Sequence, residues 1–371
     1  MHILLAPDSF KESLSAKQVA EALKKGFQEA LPDATFDLLP IGDGGEGTME
    51  TLAGVLGVTE YQTQVTGPFG HPVSMSYYQK DKMAFFEMAS LVGLGSIPAE
   101  KRNPLELETR GIGELILQLV DQGVKTICVG IGGSATNDGG IGMAAGLGVD
   151  FYDEQGHLLR PVGASLGRVA RIDTSAVPKA LEDIDLQVLT DVTNPLCGSQ
   201  GATYIFGGQK GLNPLLFPAV DQAMQGFYQL ADARILSMAG AGAGGGMAAG
   251  LVAFAGGQIS SGIEKSLDLI DFDRKVQKAD LVVVGEGRMD LQSLSGKAPV
   301  GIAKRTPEKI SVLAICGSLA DDLPAFPSHH IEAAFSIVPG PCEVADALAH
   351  AERNLISCAR NIGNLLKIKA N

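Results

Sequence analysis

Hydrophobic positions follow two alternating rhythms along this chain. Ile3-Leu4-Leu5-Ala6 is a short continuous apolar run, as expected of a strand buried on both faces, and Asp8-Ser9-Phe10-Lys11-Glu12 is the loop after it. Ser15 and Gln18 then make a capping box, and Val19, Leu23 and Phe27 recur at helical spacing. The pattern predicts an amphipathic helix over 16–30, stopped by the turn at Pro32-Asp33. A second strand from Phe36 to Ile41 repeats the unit and ends in Gly42-Asp43-Gly44-Gly45-Glu46-Gly47-Thr48 ahead of another helix. Between about 61 and 105 the period shortens to two, as in Pro72-Val73-Ser74-Met75-Ser76-Tyr77-Tyr78 and Met83-Ala84-Phe85-Phe86-Glu87-Met88, which predicts antiparallel strands.

The strand-and-helix rhythm then returns. Thr109 is placed to cap a helix carrying Leu115, Ile116, Leu119 and Val120, closed by Gly123. The apolar run Thr126-Ile127-Cys128-Val129 follows and leads into Gly130-Ile131-Gly132-Gly133-Ser134-Ala135-Thr136-Asn137-Asp138-Gly139-Gly140. After about 147 come a hairpin signal at Asp150 to Gly156, a strand over 185–189 entering Thr190-Asp191-Val192-Thr193-Asn194-Pro195, and a helix with Val220, Met224, Phe227 and Leu230. Ala239-Gly240-Ala241-Gly242-Ala243-Gly244-Gly245-Gly246-Met247 opens a helix running to about 255. From 279 the buried run Ala279-Asp280-Leu281-Val282-Val283-Val284 ends in Gly285-Glu286-Gly287-Arg288-Met289-Asp290, and Ser311 to Ile315 and Ala333 to Val338 read as further strands.

Alternation of this kind predicts an α/β fold: a doubly wound, mostly parallel, Rossmann-like three-layer sheet domain with a second α+β domain inserted. The expected boundaries are 1–60, 106–147 and 277–371 for the first domain and 61–105 with 148–276 for the second, the active site lying in the cleft between them. Chain crossings near 60, 105, 147 and 277 would act as a hinge.

Composition narrows the function. At 371 residues, with 45% hydrophobic and 19% charged positions, the chain can bury two cores. A net charge of -13 argues against nucleic-acid or anionic-membrane partners. Five cysteines without a CxxC pair read as reduced thiols, and no signal peptide or long apolar span is evident, so a cytoplasmic location is expected.

Polar or glycine groups follow the C-terminal end of six apparent strands: Asp8 to Lys11, Asp43 to Glu46, Gly132 to Asp138, Asp191 to Asn194, Glu286 to Asp290, and Gly317-Ser318. Ligands of open parallel sheets bind beyond that end. The carboxylates Asp8, Asp43, Glu46, Asp138, Asp191, Glu286 and Asp290 would repel one another without cations, and oxygen donors suit Mg²⁺. Lys11, Lys210, Arg288 and Lys297 are the cationic partners. Together these groups point to magnesium-dependent phosphoryl transfer. Gly42-x-Gly44-x-x-Gly47 and Gly240-x-Gly242-x-x-Gly245 match a dinucleotide fingerprint, which keeps an NAD-dependent hydroxy-acid dehydrogenase as an alternative. However, the first carries carboxylates in its turn and the second does not follow a strand. A non-catalytic sensor that closes on a small hydroxy acid is a further alternative. No Walker A sequence is present, because Gly296-Lys297-Ala298 lacks the hydroxyl and the upstream glycine.

With these motifs in this order, the chain resembles the bacterial glycerate kinases of the type that makes 2-phosphoglycerate. The resemblance rests on 6–16 with Ala6-Pro7-Asp8-Ser9-Phe10-Lys11, on Asp43 to Thr48, Gly130 to Gly140, Thr190 to Leu196, and Gly285 to Asp290. Thr109 to Leu115, Phe206 to Gly211 and Gly296-Lys297 add shorter pieces, and Gly207-Gly208-Gln209 departs from an expected Gly-Pro-Gln. It implies a two-domain kinase that uses ATP and Mg²⁺ to phosphorylate D-glycerate. On that resemblance Asp191 would take or orient the substrate hydroxyl proton, and Lys11 and Arg288 would bind the glycerate carboxylate or the moving phosphoryl group. Asp8, Ser9, Asn194, Asp43 and Glu46 are the candidates for substrate binding. Gly132, Gly133, Ser134, Thr136, Asn137, Gly242, Gly244, Gly245 and Lys297 would cradle phosphates, and Glu286, Asp290 and Asp43 would hold the metal. Oligomeric state is not legible from these residues.

Overall fold

The computed structural model describes residues 1–42 and 47–370. Its fold is α/β, with mostly parallel sheet and helices on both faces. The chain forms two compact units: Met1–Asp43 with Glu50–Gly57 and Gly262–Asn371, and Gly44–Met49 with Val58–Ser261.

The first unit is built on a five-stranded parallel sheet in the order Ala333–Ser336, Ser311–Cys316, Leu281–Gly285, His2–Pro7, Thr35–Leu38. Ile3 pairs with Leu281 and Pro7 with Gly285, and every residue of Leu281–Gly285 is buried, as its unbroken apolar run requires. The capping box closes as expected: Gln18 N donates to Ser15 Oγ at 3.3 Å and Ser15 N to Gln18 Oε1 at 2.9 Å. Helix Ala16–Ala30 turns Val19, Leu23 and Phe27 inward, all fully buried, and each contributes about 1.5–3 kcal/mol of apolar burial. That core includes Leu355 and Ala359 of helix Ala351–Ala370. Gly26 lets the two helices approach, because a side chain there would begin 2.3 Å from the Ile356 carbonyl oxygen.

The second unit carries a six-stranded sheet in the order Gln258–Ser260, Asp185–Leu189, Thr126–Gly130, Met83–Glu87, Pro72–Lys80, Thr59–Thr66. The first four strands pair in parallel, and Pro72–Lys80 and Thr59–Thr66 add the antiparallel pairing that their alternation predicts; Met83–Glu87, also expected to be antiparallel, is so only toward Pro72–Lys80 and pairs in parallel with Thr126–Gly130. Two groupings differ from expectation, one being that residues 262–276 fall in the first unit. Residues 106–147 belong to this unit and not to the first, because Thr126–Gly130 is hydrogen-bonded to Met83–Glu87 on one side and Asp185–Leu189 on the other. A continuous apolar run reports burial on both faces; it carries no information about which strands flank it. Cys128 and Cys316 are buried within their strands, and no disulfide forms among the described residues. Among the described residues, no helix is long and apolar enough to cross a membrane.

Candidate active site

In the first unit, neighbouring strands bring several predicted residues together. Asp8 N donates to Gly285 O at 2.8 Å, so the loops after His2–Pro7 and Leu281–Gly285 start side by side. Gly287 lies against Phe10 and Lys11: a side chain there would begin 3.4 Å from Lys11 N. Arg288 pairs with Ser318 in a short parallel bridge, and Gly317 N donates to Glu286 O at 3.0 Å, which draws in the end of Ser311–Cys316. Lys11 and Arg288 are exposed, Asp8 and Ser9 half-buried, Glu286 buried. The Asp8 carboxylate accepts Ser9 N at 2.6 Å. Asp290 Oδ1 accepts the amides of Gln292 and Ser293 at 2.9 and 3.1 Å. Burial works against ionisation of Asp290, but those amides and the Lys297 charge outweigh it and hold the carboxyl below its usual range. The result is three carboxylates, Asp8, Glu286 and Asp290, and three cations, Lys11, Arg288 and Lys297, around these strand ends. Among the described residues, no group of three or more His, Cys, Asp or Glu is arranged to hold a metal ion. Asp43 and Glu46 lie outside the described residues.

In the second unit the glycine loop at 130–140 joins strand Thr126–Gly130 to helix Ile141–Gly146. Helix Ile141–Gly146 is short, and its N-terminus already holds an anion of the protein's own: Asp138 accepts Gly140 N at 3.0 Å and Gly142 N at 3.4 Å. Thr109 Oγ1 donates to Asp138 Oδ2 at 2.7 Å and accepts Met143 N at 2.9 Å, so Thr109 serves this helix and makes no side-chain cap on Arg110–Asp121. Burial raises the Asp138 carboxyl above its usual range, against the hydrogen bonds from Thr109, Gly140 and Gly142 and the Lys210 charge. Thr136 and Asn137 are fully buried, Ser134 nearly so, and Gly132 and Gly133 are half-exposed. Asn137 Nδ2 donates to Thr203 Oγ1 at 2.9 Å, and Tyr228 Oη donates to Gly139 O at 2.6 Å. Lys210 is buried rather than ligand-facing: its Nζ donates to Ser134 Oγ at 2.9 Å and Thr136 O at 2.7 Å. Burial pushes its ammonium down to about 7 against the pull of Asp138.

The glycines at 242–246 have a packing reason. Gly244, Gly245 and Gly246 all have positive φ, at 66°, 71° and 88°. A side chain on Gly245 would begin 2.0 Å from Thr136 O, and one on Gly242 would begin 2.3 Å from Pro195 O. Gly139 N donates to Gly245 O at 3.1 Å. This stretch is therefore the seat of the 130–140 loop, and it follows the 3₁₀ turn Ala233–Ser237 rather than the strand a dinucleotide fingerprint needs.

Asp191 follows the strand Asp185–Leu189 and is half-buried, accepting Ser261 Oγ at 2.8 Å on Oδ1. Asn194 Nδ2 donates to Gln200 O at 2.8 Å, and its carbonyl accepts Gly242 N at 3.1 Å, so its side chain shapes its own loop. Two acidic or hydroxyl groups were not anticipated. Glu87 accepts Gly47 N at 3.0 Å and Met49 N at 2.8 Å, fixing the start of helix Thr48–Leu56. Ser261 follows Gln258–Ser260, a three-residue strand with too little apolar run to recognise. Only the position of Glu87 at a strand end could have marked it, and its strand read as antiparallel; its second partner, Thr126–Gly130, is parallel.

A model of the glycerate kinase family matches residues 3–367. The chain is 55% identical over 368 residues to the glycerate kinase of Neisseria meningitidis serogroup B (strain ATCC BAA-335 / MC58), with 99% of each chain covered. It is 41% identical over 375 residues to the glycerate 2-kinase of Escherichia coli K12, covering 99% of this chain and 98% of that one. The crystal structure of a protein from Salmonella typhimurium LT2 assigned as glycerate kinase 2 superposes with a TM-score of 0.86 at 41% identity, covering 100% of this chain and 99% of the other. The match takes in every strand-end segment described above, and the chain belongs to the glycerate kinase family.

Proposed function

We propose that this chain transfers the terminal phosphoryl group of ATP to a hydroxyl of D-glycerate, giving ADP and a phosphoglycerate, with O2 the favoured acceptor. The family match over 3–367 carries this reading. In it, Asp191 takes the hydroxyl proton as the substrate oxygen bonds to phosphorus and the bond to the ADP oxygen breaks. Its support is the Ser261 hydrogen bond, which fixes one carboxylate oxygen on a half-buried strand end. Lys11 and Arg288 are exposed cations on one strand-end face, suited to the glycerate carboxylate or the moving phosphoryl group, with Asp8 and Ser9 beside them. Asn194 holds the Asp191 loop in shape. Gly132 and Gly133 offer the accessible part of a phosphate loop, with the buried Ser134 next to them, whereas Thr136, Asn137, Gly242 and Gly245 support it from within. Lys297 stands beside Asp290 as a further anion-binding cation.

Glu286 and Asp290 are hard oxygen donors of the kind Mg²⁺ takes, and Asp290 is held ionised, so this donor set fits the metal. When bound, Mg²⁺ would neutralise charge on the phosphates. Incubation with Mg-ATP and D-glycerate, followed by ADP release and phosphorus NMR, tests the reaction; no glycerate-dependent ADP would refute it. Direct coupling to enolase without a mutase reports whether O2 is the acceptor. Asp191→Asn is expected to lower kcat at saturating glycerate by about 10²–10⁴-fold, the range for a general base. A variant with wild-type kcat would remove Asp191 from the mechanism.

A further inference from the structure

Lys210 packs a buried ammonium against the glycine loop from a distant part of the chain. It lies in the 3₁₀ turn Gly208–Lys210, is 3% exposed, and reaches 74 to 76 residues back along the chain to Thr136 O at 2.7 Å and Ser134 Oγ at 2.9 Å. Thr136 O accepts from the ammonium and packs closely on Gly245, where a side chain would begin 2.0 Å away. At Ser134 the geometry has a chemical consequence. A hydroxyl has two acceptor lone pairs and one proton. In its ammonium form Lys210 can only donate, so it then occupies a lone pair of Ser134 Oγ and leaves the Ser134 proton to be given elsewhere. Accepting a hydrogen bond from a cation also polarises the O–H and strengthens it as a donor. Ser134 directly follows the half-exposed Gly132 and Gly133, so this donor lies beside the accessible stretch of the loop.

We propose that Lys210 is a positioning residue that sets the shape of the 132–136 loop and turns Ser134 into a directed hydroxyl donor for a phosphate oxygen. The inference rests on the reading of this loop as a phosphate site. It differs from that reading in assigning the ligand contact to Ser134 and the control of that contact to a lysine that never touches the ligand. The phosphate could belong to the nucleotide or to the phosphorylated product.

Dissociation constants for ADP and for 2-phosphoglycerate, measured by titration calorimetry on the whole chain, test this without requiring turnover. Ser134→Ala deletes only the hydroxyl and is expected to weaken one of the two ligands about tenfold. Lys210→Met is expected to weaken the same ligand to a similar extent, and to add less than twofold once Ser134 is already Ala. A purely structural lysine would instead lower the thermal midpoint equally in both backgrounds and leave both constants within twofold of wild type, which would overturn the proposal. Should the Met variant not fold, Lys210→Arg takes its place in the cycle, with a smaller loss expected because charge and donors are kept. Weakening of ADP identifies the nucleotide phosphate and weakening of 2-phosphoglycerate the product phosphate. If the wild type binds these ligands but forms no glycerate-dependent ADP, the kinase reading fails and this inference survives; unshifted variants of an active wild type defeat this inference alone.

Discussion

Gly245→Ala separates two explanations of the glycine run at 242–246, one in which the glycines admit phosphate and one in which they admit the neighbouring loop. Gly245 has φ of 71°, a conformation that costs an L-residue about 1–2 kcal/mol. Its new methyl would also begin 2.0 Å from Thr136 O and 2.9 Å from Thr136 C, backbone atoms that cannot swing aside as a side-chain tip can. Forcing that contact adds about 1–3 kcal/mol, the usual range for overpacking. The control is Gly256→Ala at the C-terminus of the same helix: φ is 67°, but nothing lies within 4 Å of the added carbon, so only the conformational cost of about 1–2 kcal/mol applies. The gain from stiffening the unfolded chain is the same for both and cancels. Calorimetric melting should place Gly245→Ala below Gly256→Ala by about 2–12 °C, taking about 2–4 °C per kcal/mol for a unit of this size. Equal melting of the two variants, with ADP binding lost only in Gly245→Ala, would refute the packing argument and restore the glycine to direct ligand contact.

Other consequences concern the groups that the tertiary structure brought forward. Glu87→Ala leaves the amides of Gly47 and Met49 without their carboxylate acceptor and should cost about 1.5–3 kcal/mol in urea denaturation, with Glu87→Gln losing less because one acceptor oxygen remains. Burial lowers Lys210 to about 7 from 10.5, so above pH 7 the unfolded chain binds a proton that the folded chain has released, and stability from this group rises with pH. Relative to Lys210→Met, the wild type should gain about 2 kcal/mol between pH 7 and 9. Parallel pH dependence of the two proteins would show that Lys210 keeps its proton across that window.

What the chain determined by itself was everything set by near neighbours. Ser15 and Gln18 cap a helix because they lie three residues apart, the 281–285 run is a buried strand because it has no polar break, and Pro72–Lys80 pairs antiparallel on both sides as its alternation suggests. The strand-end polar segments were legible for the same reason, as were the motifs that mark the family. Tertiary structure alone decided which sheet received Thr126–Gly130, since hydrogen bonding between strands leaves no trace in either strand's own periodicity. It also decided that Lys210 faces inward to Ser134 and Thr136, that Asp138 answers its own helix, and that Glu87 and Ser261 reach their partners across 40 and 70 residues. A charged residue in a sequence has a chemistry but no direction. Only the packing around it fixes whether its charge meets solvent, a ligand or the protein's own backbone.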